Sequence, residues 1–570
     1  MLRIDEGVYV LHLQGTEPEM AAQHGELMAA EIRQGIIPFM AKMIRMHVEH
    51  DTTLVSKLTS RTKAFLIDRL AVALSRNTPP VDREAFQSLA KAAGIAPRTM
   101  DLAIGSPDAL LCVLAVSDGF KNLPNALGLG LAPRSIFGCC GAIALEDATA
   151  DGHVIHGRNM DYEGIGHWDR FPTVAFCRPD TGQPFAYVSS AGAHTAALTG
   201  MNASGLFLGA NTAPTTDVAM RGLPLFSLND RVIRNARNIE DAIDLLATMR
   251  PATGYNVHIS HGPTDSGAVV EFSAGKQRVR HPEDGVLVAT NHYETDPLRQ
   301  TIPEVSIVDT PNTESRRKRL TQRVRQARPV VSVRTMIEAL RDMREPHTDE
   351  IHPLGDVVCN YFNVSSVVAD VTARRLFVAT GRAPSALGSY ISFDFEKELA
   401  AFLSERDYPI EQTPPSPFVE SSVEECIREY QAAHAELIYE RNPEGALPHL
   451  EKALDRQPDE PRVILSLGLV SLKADLAGKA VRHAKDYLAI TPNDDPRRYR
   501  AHLLLGWCSD LASERSIALS HYADAEEAAA RAGSHPASFR EIRPFKKSPF
   551  TESHRRQMDI DLFNAKRMPL

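Results

Sequence analysis

From residue 139 onward the chain breaks into short apolar runs: AIAL, HVIHGRN, TVAFC and FAYVSS, followed by AALTGMNASGLFLGANT. Two segments with helical spacing intervene near residues 224–236 and 239–249, after which strand-like runs return as YNVHISHG, AVVEFS, GVLVATNHY and SVVADVTARRLFVATG. Strands, then helices, then strands again predict an α+β fold with a largely antiparallel sheet, not the βαβ alternation of a nucleotide-binding fold. Asn202-Ala203-Ser204-Gly205, between two apolar runs, predicts a hairpin turn.

The flanking regions differ in texture. MLRIDEGVYVLHLQG alternates polar and apolar residues as a strand does, and EPEMAAQHGELMAAEIRQGIIPFMAKMIRMHV predicts a long helix interrupted at Pro38. Helical material continues to about residue 118, and the Gly- and Pro-rich stretch 122–138 predicts a loop. At the other end, EQTPPSPF (411–418) closes the β-containing unit. Beyond it, His434, Ala446, Ala453 and Pro458 are matched 34 residues later by Gly468, Ala480, Tyr487 and Pro492, with a third copy at Gly506, Ala518 and Ala525. Small residues at a 34-residue period with a terminal proline form the tetratricopeptide pattern. The resulting division is a mainly helical 1–138, an α+β unit over 139–410, a Pro-rich linker over 411–422, an all-α helical repeat domain over 423–531 and a basic extension over 532–570.

Composition narrows the possibilities. With 570 residues the chain exceeds the size at which one core stops growing, which predicts two or three units. A net charge of -9 without a long basic block argues against nucleic acid as a partner. The first residues lack a signal-peptide apolar stretch, and no run approaches the eighteen apolar residues of a membrane span. Seven cysteines without repeated spacing argue against a disulfide framework and for a reducing, cytoplasmic setting. The adjacent pair Cys139-Cys140 then needs its own explanation, because neighbouring cysteines form no ordinary disulfide.

That explanation lies in its company. Gly138 precedes Cys139 where a Gly/Pro loop meets the first strand of the β unit, so the backbone can turn tightly enough for the thiol to attack the preceding carbonyl. Attack moves the Gly138 acyl group from nitrogen to sulfur, and hydrolysis releases Cys139 with a free α-amino group. With a reference pKa of about 7.7–8.0, that amine can serve as general base for its own thiol near neutral pH. Arg158 and Asp161 follow in GRNMD, and Asn211 and Asn291 stand in GANT and ATNHY.

The run CCGAIALEDATADGHVIHGRNMDY resembles the opening of the acyl-CoA:6-aminopenicillanic acid acyltransferase-like family and, more distantly, the choloylglycine hydrolases. LHLQGTEPEMAAQHGELMA at residues 11–29 and the later blocks GMNASGLFLGANT, VLVATNHY and SSVVADVTARRLFVATG resemble the family in order, over about residues 8–385. The resemblance implies an αββα N-terminal-nucleophile fold, a propeptide over 1–138, self-cutting between Gly138 and Cys139, and amide hydrolysis or acyl transfer through a thioester. It implies Cys139 as nucleophile, with Cys140 as the alternative because family members usually carry Ser or Thr after the nucleophile. It further implies that Arg158 lowers the thiol pKa, that Asp161 holds the free amino group, and that Asn211 contacts substrate while Asn291 helps form the oxyanion hole. In SRRKRL one arginine is expected near the nucleophile, Arg316 in preference to Arg317 or Arg319.

No cofactor is expected, and no metal: His292 is far in sequence from His258 and His261, and the spacing of those two puts them on opposite faces of a strand. The expected partners are a small-molecule N-acyl amide or peptide substrate and a protein bound by the helical repeats. The competing reading is an interaction protein whose hydrolase-like unit is catalytically dead. The resemblance does not choose a substrate, nor water over an amine as acyl acceptor.

Overall fold

A computed structural model describes residues 1–48, 54–119, 138–304, 310–346, 348–402, 408–534, 538–562 and 564–567. The loop expected at 122–138 lies outside these residues except for Gly138.

The chain is α+β, with two large sheets and a C-terminal helical array. One sheet has nine strands, in the spatial order Leu2–Asp5, Val8–Gly15, Pro172–Pro179, Phe185–Ser190, Thr199–Asn202, Leu206–Thr212, Tyr255–His261, Ser266–Phe272 and Gln277–Arg280. Its neighbours pair antiparallel except Val8–Gly15 with Pro172–Pro179, which are parallel. The other sheet has seven strands, in the order Val286–Ala289, Cys140–Ala144, Ile155–Asp161, Asn363–Asp370, Arg375–Ala379, Tyr390–Asp394 and Gln412–Thr413. The first residues of the chain therefore extend the nine-stranded sheet, and the start of the Pro-rich segment extends the other.

Strand alternation gives each sheet two apolar faces. One core cluster joins both sheets through Val174, Phe176, Phe207, Ile143, Val367 and Phe393. A second packs the nine-stranded sheet against the N-terminal helices and the helices Leu225–Asn235 and Ile239–Thr248. A third packs the seven-stranded sheet against the helices Thr310–Gln326 and Val333–Leu340 through Ala142, Ile155, Leu320 and Met336. The expected hairpin forms between Thr199–Asn202 and Leu206–Thr212, with Gly205 at φ 85°, where only glycine is free of strain.

One expectation changes. The N-terminal helix breaks at Met28 and Gly35, giving Glu17–Leu27, Ala29–Gln34 and Ile36–Val48, and Pro38 lies within the first turn of the last of these. A first-turn N–H has no helical partner to lose, so proline is tolerated there. The stretch Pro97–Val116 is long and apolar enough to cross a membrane, with a mean hydropathy of 1.5, although no eighteen consecutive residues are apolar. In the fold 72% of that window is buried, as in a core helix.

The C-terminal array consists of three consecutive helix pairs, Ser422–Ile438 with Pro443–Arg456, Pro461–Lys473 with Ala477–Ile490, and Arg498–Leu511 with Arg515–Arg531. The small residues of the 34-residue period are where helices meet: a Cβ on Gly506 would lie 2.3 Å from the Tyr522 ring, and one on Gly468 would lie 2.7 Å from Leu504. Phe545 and Phe550 of the basic extension pack on Trp507, which docks that extension on the last pair.

Candidate active site

Cys140 opens its strand opposite Asn159, and Gly141 sits opposite Arg158. The pleat sends alternate side chains to opposite faces. Cys140 and Asn159 thus face the outer helices, where Cys140 joins the cluster of Leu320 and Met336 and Asn159 Nδ2 donates to the carbonyl of Leu340 at 2.9 Å. Cys139 and Arg158 face the other way, and Cys139 packs with the residues of the nine-stranded sheet.

Arg158 is fully enclosed and spans to that sheet, where Nη1 donates to Thr199 Oγ1 at 2.9 Å and Nη2 to the carbonyl of Ala210 at 2.7 Å. The same Nη2 lies 3.9 Å from Cys139 Sγ, and its Nε has no hydrogen-bond partner. Burial raises the Cys139 thiol above its ordinary pKa, with Arg158 pulling the other way. Burial thus outweighs the lowering expected from Arg158 as long as the chain is uncut. Cys140 is pushed up to about 12, again mainly by burial.

Asp161 is wholly buried. Its Oδ1 accepts from Asn363 Nδ2 at 3.0 Å, while its Oδ2 has no hydrogen-bond partner. Desolvation raises its pKa to about 7 against the opposing pull of Arg316, Asn363 and Arg158. The main chain is pinned beside it, because Gly138 N–H donates to the Asp161 carbonyl at 3.1 Å.

The helix Thr310–Gln326 brings Arg316 to the same point. Arg316, 1% exposed, donates through Nη1 to the carbonyls of Gly138 at 2.6 Å and Cys139 at 2.9 Å, through Nη2 to Asn291 Oδ1 at 3.1 Å, and through Nε to Asn312 Oδ1 at 3.0 Å. Arg317 and Arg319 point elsewhere, Arg317 to Glu294 at 3.2 Å and Arg319 to Asp342 and Asp349 at 2.8 Å each. Asn291 uses its amide nitrogen on the Thr212 carbonyl at 2.9 Å, so in the uncut chain the donor at Gly138 is Arg316 and Asn291 orients it. Asn211 bridges the sheets, with Nδ2 donating to the carbonyl of Ala289 at 3.1 Å.

A pair of histidines that the motifs did not single out as part of this site lies behind it. His156 Nε2 and His258 Nδ1 are 2.7 Å apart, His156 Nδ1 is 2.6 Å from Ser260 Oγ, and His258 Nε2 is 3.4 Å from Asn211 Oδ1. Two glycines make their room: a Cβ on Gly141 or Gly209 would lie 2.5 or 2.0 Å from the His258 ring. Burial lowers both imidazoles, His156 to about 3, so they are neutral hydrogen-bonding groups. Their only sequence signal is alternation, His156 on a strand of the seven-stranded sheet and His258 on a strand of the nine-stranded one. Among the described residues one group of side chains could ligate a metal, His502, His521 and Asp524 in the third helix pair, outside this site.

A buried cysteine thus lies beside an arginine, a carboxyl of raised pKa and side-chain amides on an antiparallel α+β scaffold. Residues 148–353 match the family described as acyl-coenzyme A:6-aminopenicillanic acid acyl-transferase. The resemblance is thereby shown over that stretch, which holds Arg158, Asp161, Asn211, Asn291 and Arg316. Cys139 and Cys140 precede it. One relative, an uncharacterized protein of Archaeoglobus fulgidus, is 25% identical over 328 residues, covering 52% of this chain and 52% of that protein. The chain thus spans about half the length of that relative.

Proposed function

We propose that this protein is a self-activating cysteine amidohydrolase or acyltransferase of the N-terminal-nucleophile type, with the two sheets and their outer helices as an αββα sandwich and the three helix pairs as tetratricopeptide-like repeats. The observation that carries this reading is the setting of the Gly138-Cys139 bond, whose carbonyl oxygen accepts from Arg316 at 2.6 Å while the adjoining thiol lies 3.9 Å from Arg158.

Cys139 Sγ attacks the Gly138 carbonyl carbon, and the oxygen, becoming an oxyanion, is already held by the Arg316 guanidinium. Asp161, with its pKa near 7, takes the thiol proton and returns it to the departing Cys139 nitrogen. Collapse breaks the C–N bond and leaves Gly138 as a thioester on Sγ, and water then releases the Gly138 carboxylate. The freed α-amino group finds an acceptor in Asp161 Oδ2, the buried oxygen without a partner. In turnover the same thiol takes an acyl group from a linear N-acyl amide, the amine leaves protonated, and water or a second amine resolves the thioester. The match to an acyl-transferase family supports this class of reaction.

Intact-mass analysis of the purified chain tests the reading. Two fragments are expected, the larger beginning at Cys139, and a single chain identical in behaviour to Cys139→Ala would overturn it.

A further inference from the structure

Arg316 does not hold its place alone. Its Nε is anchored by Asn312 Oδ1, one helical turn earlier, and Asn312 Nδ2 donates to Asp356 Oδ1 at 2.7 Å. Asp356 lies in the segment between the helix Val333–Leu340 and the strand Asn363–Asp370, and both of its oxygens are taken by the C-terminal array. Arg462, on the helix Pro461–Lys473, donates to Oδ1 at 2.8 Å, and Arg497, at the start of the helix Arg498–Leu511, pairs with Oδ2. The backbone N–H of Asp356 donates to Glu345 Oε1 at 3.0 Å. Asn312, Asp356, Arg462 and Arg497 also line a cavity of about 1660 Å³ between the helix Thr310–Gln326 and the array.

We propose that the C-terminal helical array completes the catalytic site, Arg462 and Arg497 acting through Asp356 and Asn312 as positioning residues for Arg316. The direction of the relay is fixed by donor chemistry. Guanidinium groups only donate and an ionised carboxylate only accepts, so Asn312 has one orientation that satisfies both neighbours. Burial alone would favour the neutral form of Asp356, but the two arginines hold its pKa well below the ordinary carboxylate value. With Asp356 ionised, Asn312 presents its oxygen to Arg316. Without the arginines Asp356 is a buried charge lacking its partners, which takes up a proton or shifts, and the amide is free to turn its nitrogen toward Arg316. Loss of that anchor lets the guanidinium leave the Gly138 carbonyl, the oxygen on which charge develops.

The kinetic form of this inference rests on the self-cutting reading, so the test has two arms. The first follows cutting of the full-length chain for wild type, Arg462→Met/Arg497→Met and Arg540→Ala, the last removing an ion pair between Glu304 and the basic extension docked on the array, at 2.8 Å. The double variant is expected to cut about tenfold more slowly, a smaller loss than the roughly 10²- to 10³-fold for an oxyanion donor itself. Arg540→Ala is expected to cut at the wild-type rate. A double variant as fast as wild type overturns the relay, and so does equal slowing by Arg540→Ala, which would make docking the cause. If the double variant does not fold, Asp356→Asn/Arg462→Met/Arg497→Met leaves no unpaired ion buried and is expected to show the same slowing. The second arm needs no cutting: in a ¹⁵N-arginine-labelled Cys139→Ala chain, the Arg316 Nε–H signal, assigned by its loss in Arg316→Lys, is expected to be protected from solvent exchange. Protection that persists in the double variant overturns the relay even where an uncut wild type has already overturned self-processing.

Discussion

Arg316 and Gly138 are joined by a hydrogen bond of 2.6 Å, from the guanidinium Nη1 to the carbonyl oxygen of the residue before the cysteine pair. The contact links a helix of the outer layer to the first residue described after the segment 120–137. Arg316→Met is expected to slow cutting by about 10²- to 10³-fold, the range for removing one donor from a developing oxyanion. Arg316→Lys is expected to recover only part of the rate, since a compact ammonium cannot hold Gly138, Asn291 and Asn312 together. A time course by intact mass reads both, and wild-type speed in Arg316→Met would remove this residue from the mechanism.

The two cysteines separate by the face on which they lie. Cys139→Ala is expected to abolish cutting, whereas Cys140→Ala is expected to retain it, because the Cys140 thiol is packed among Leu320, Met336 and Leu340 and pushed up to about 12. Amino-terminal sequencing of the larger fragment is expected to begin at Cys139. A fragment beginning at Cys140 reverses the assignment.

Cutting is expected to depend on pH through Asp161. Its pKa in the fold is raised from the ordinary 3.8 to about 7 by burial, so below pH 7 the carboxyl carries the proton it must accept. The rate is expected to rise by about tenfold between pH 6 and pH 8, the change in ionised fraction across that interval. Asp161→Asn is expected to lose this step while keeping a slower alkaline rise from the raised thiol. An unchanged profile in Asp161→Asn would assign the step to another group.

Gly209→Ala tests the packing behind the site. The new Cβ would meet the His258 ring at 2.0 Å and Arg158 Cδ at 2.8 Å, both buried and hydrogen-bonded. Destabilisation of about 1–3 kcal/mol in urea unfolding is expected, the usual range for overpacking, together with slower cutting because Arg158 must shift. Gly478→Ala, with nothing within 4 Å of its Cβ and no left-handed φ, is the control in which a methyl group is added without a clash.

Glu163 ties three parts of the chain. It lies two residues after Asp161 and pairs with His47 of the N-terminal helices at 2.6 Å and His434 of the array at 3.3 Å, all three buried. Burial would raise the Glu163 carboxyl, yet the two histidines bring it below its ordinary value. Glu163→Gln is expected to destabilise the cut protein by about 3–5 kcal/mol, as breaking a buried pair does, and to let the small fragment dissociate in gel filtration. Retention of that fragment at wild-type stability would show that other contacts hold it.

The elements were legible because their signals are local. Alternation placed the strands Ile155–Asp161 and Tyr255–His261, helical spacing placed Leu225–Asn235 and Ile239–Thr248, and Gly205 marked its turn. Pro38 misled because a first-turn proline and a helix-breaking one look alike until the helix start is known. Within the site, Cys139 stands out by its Gly138 neighbour, and Arg158, Asp161, Asn211 and Asn291 only through the family resemblance; the fold brings them together. Asn312, Asp356 and Asn363 carry no motif, since an amide or carboxyl becomes part of a site only through what the chain brings beside it.

The sequence by itself determined the run of strands and helices and the 34-residue repeat, because each depends on residues close in the chain. Tertiary structure decided that Arg316 and not Arg317 or Arg319 reaches Gly138, that burial outweighs Arg158 at the Cys139 thiol, and that the helical array touches Asp356. The physical reason is one of range: periodicity fixes which side chains share a face, whereas the partner that face meets, and the solvent it loses, depend on segments hundreds of residues away.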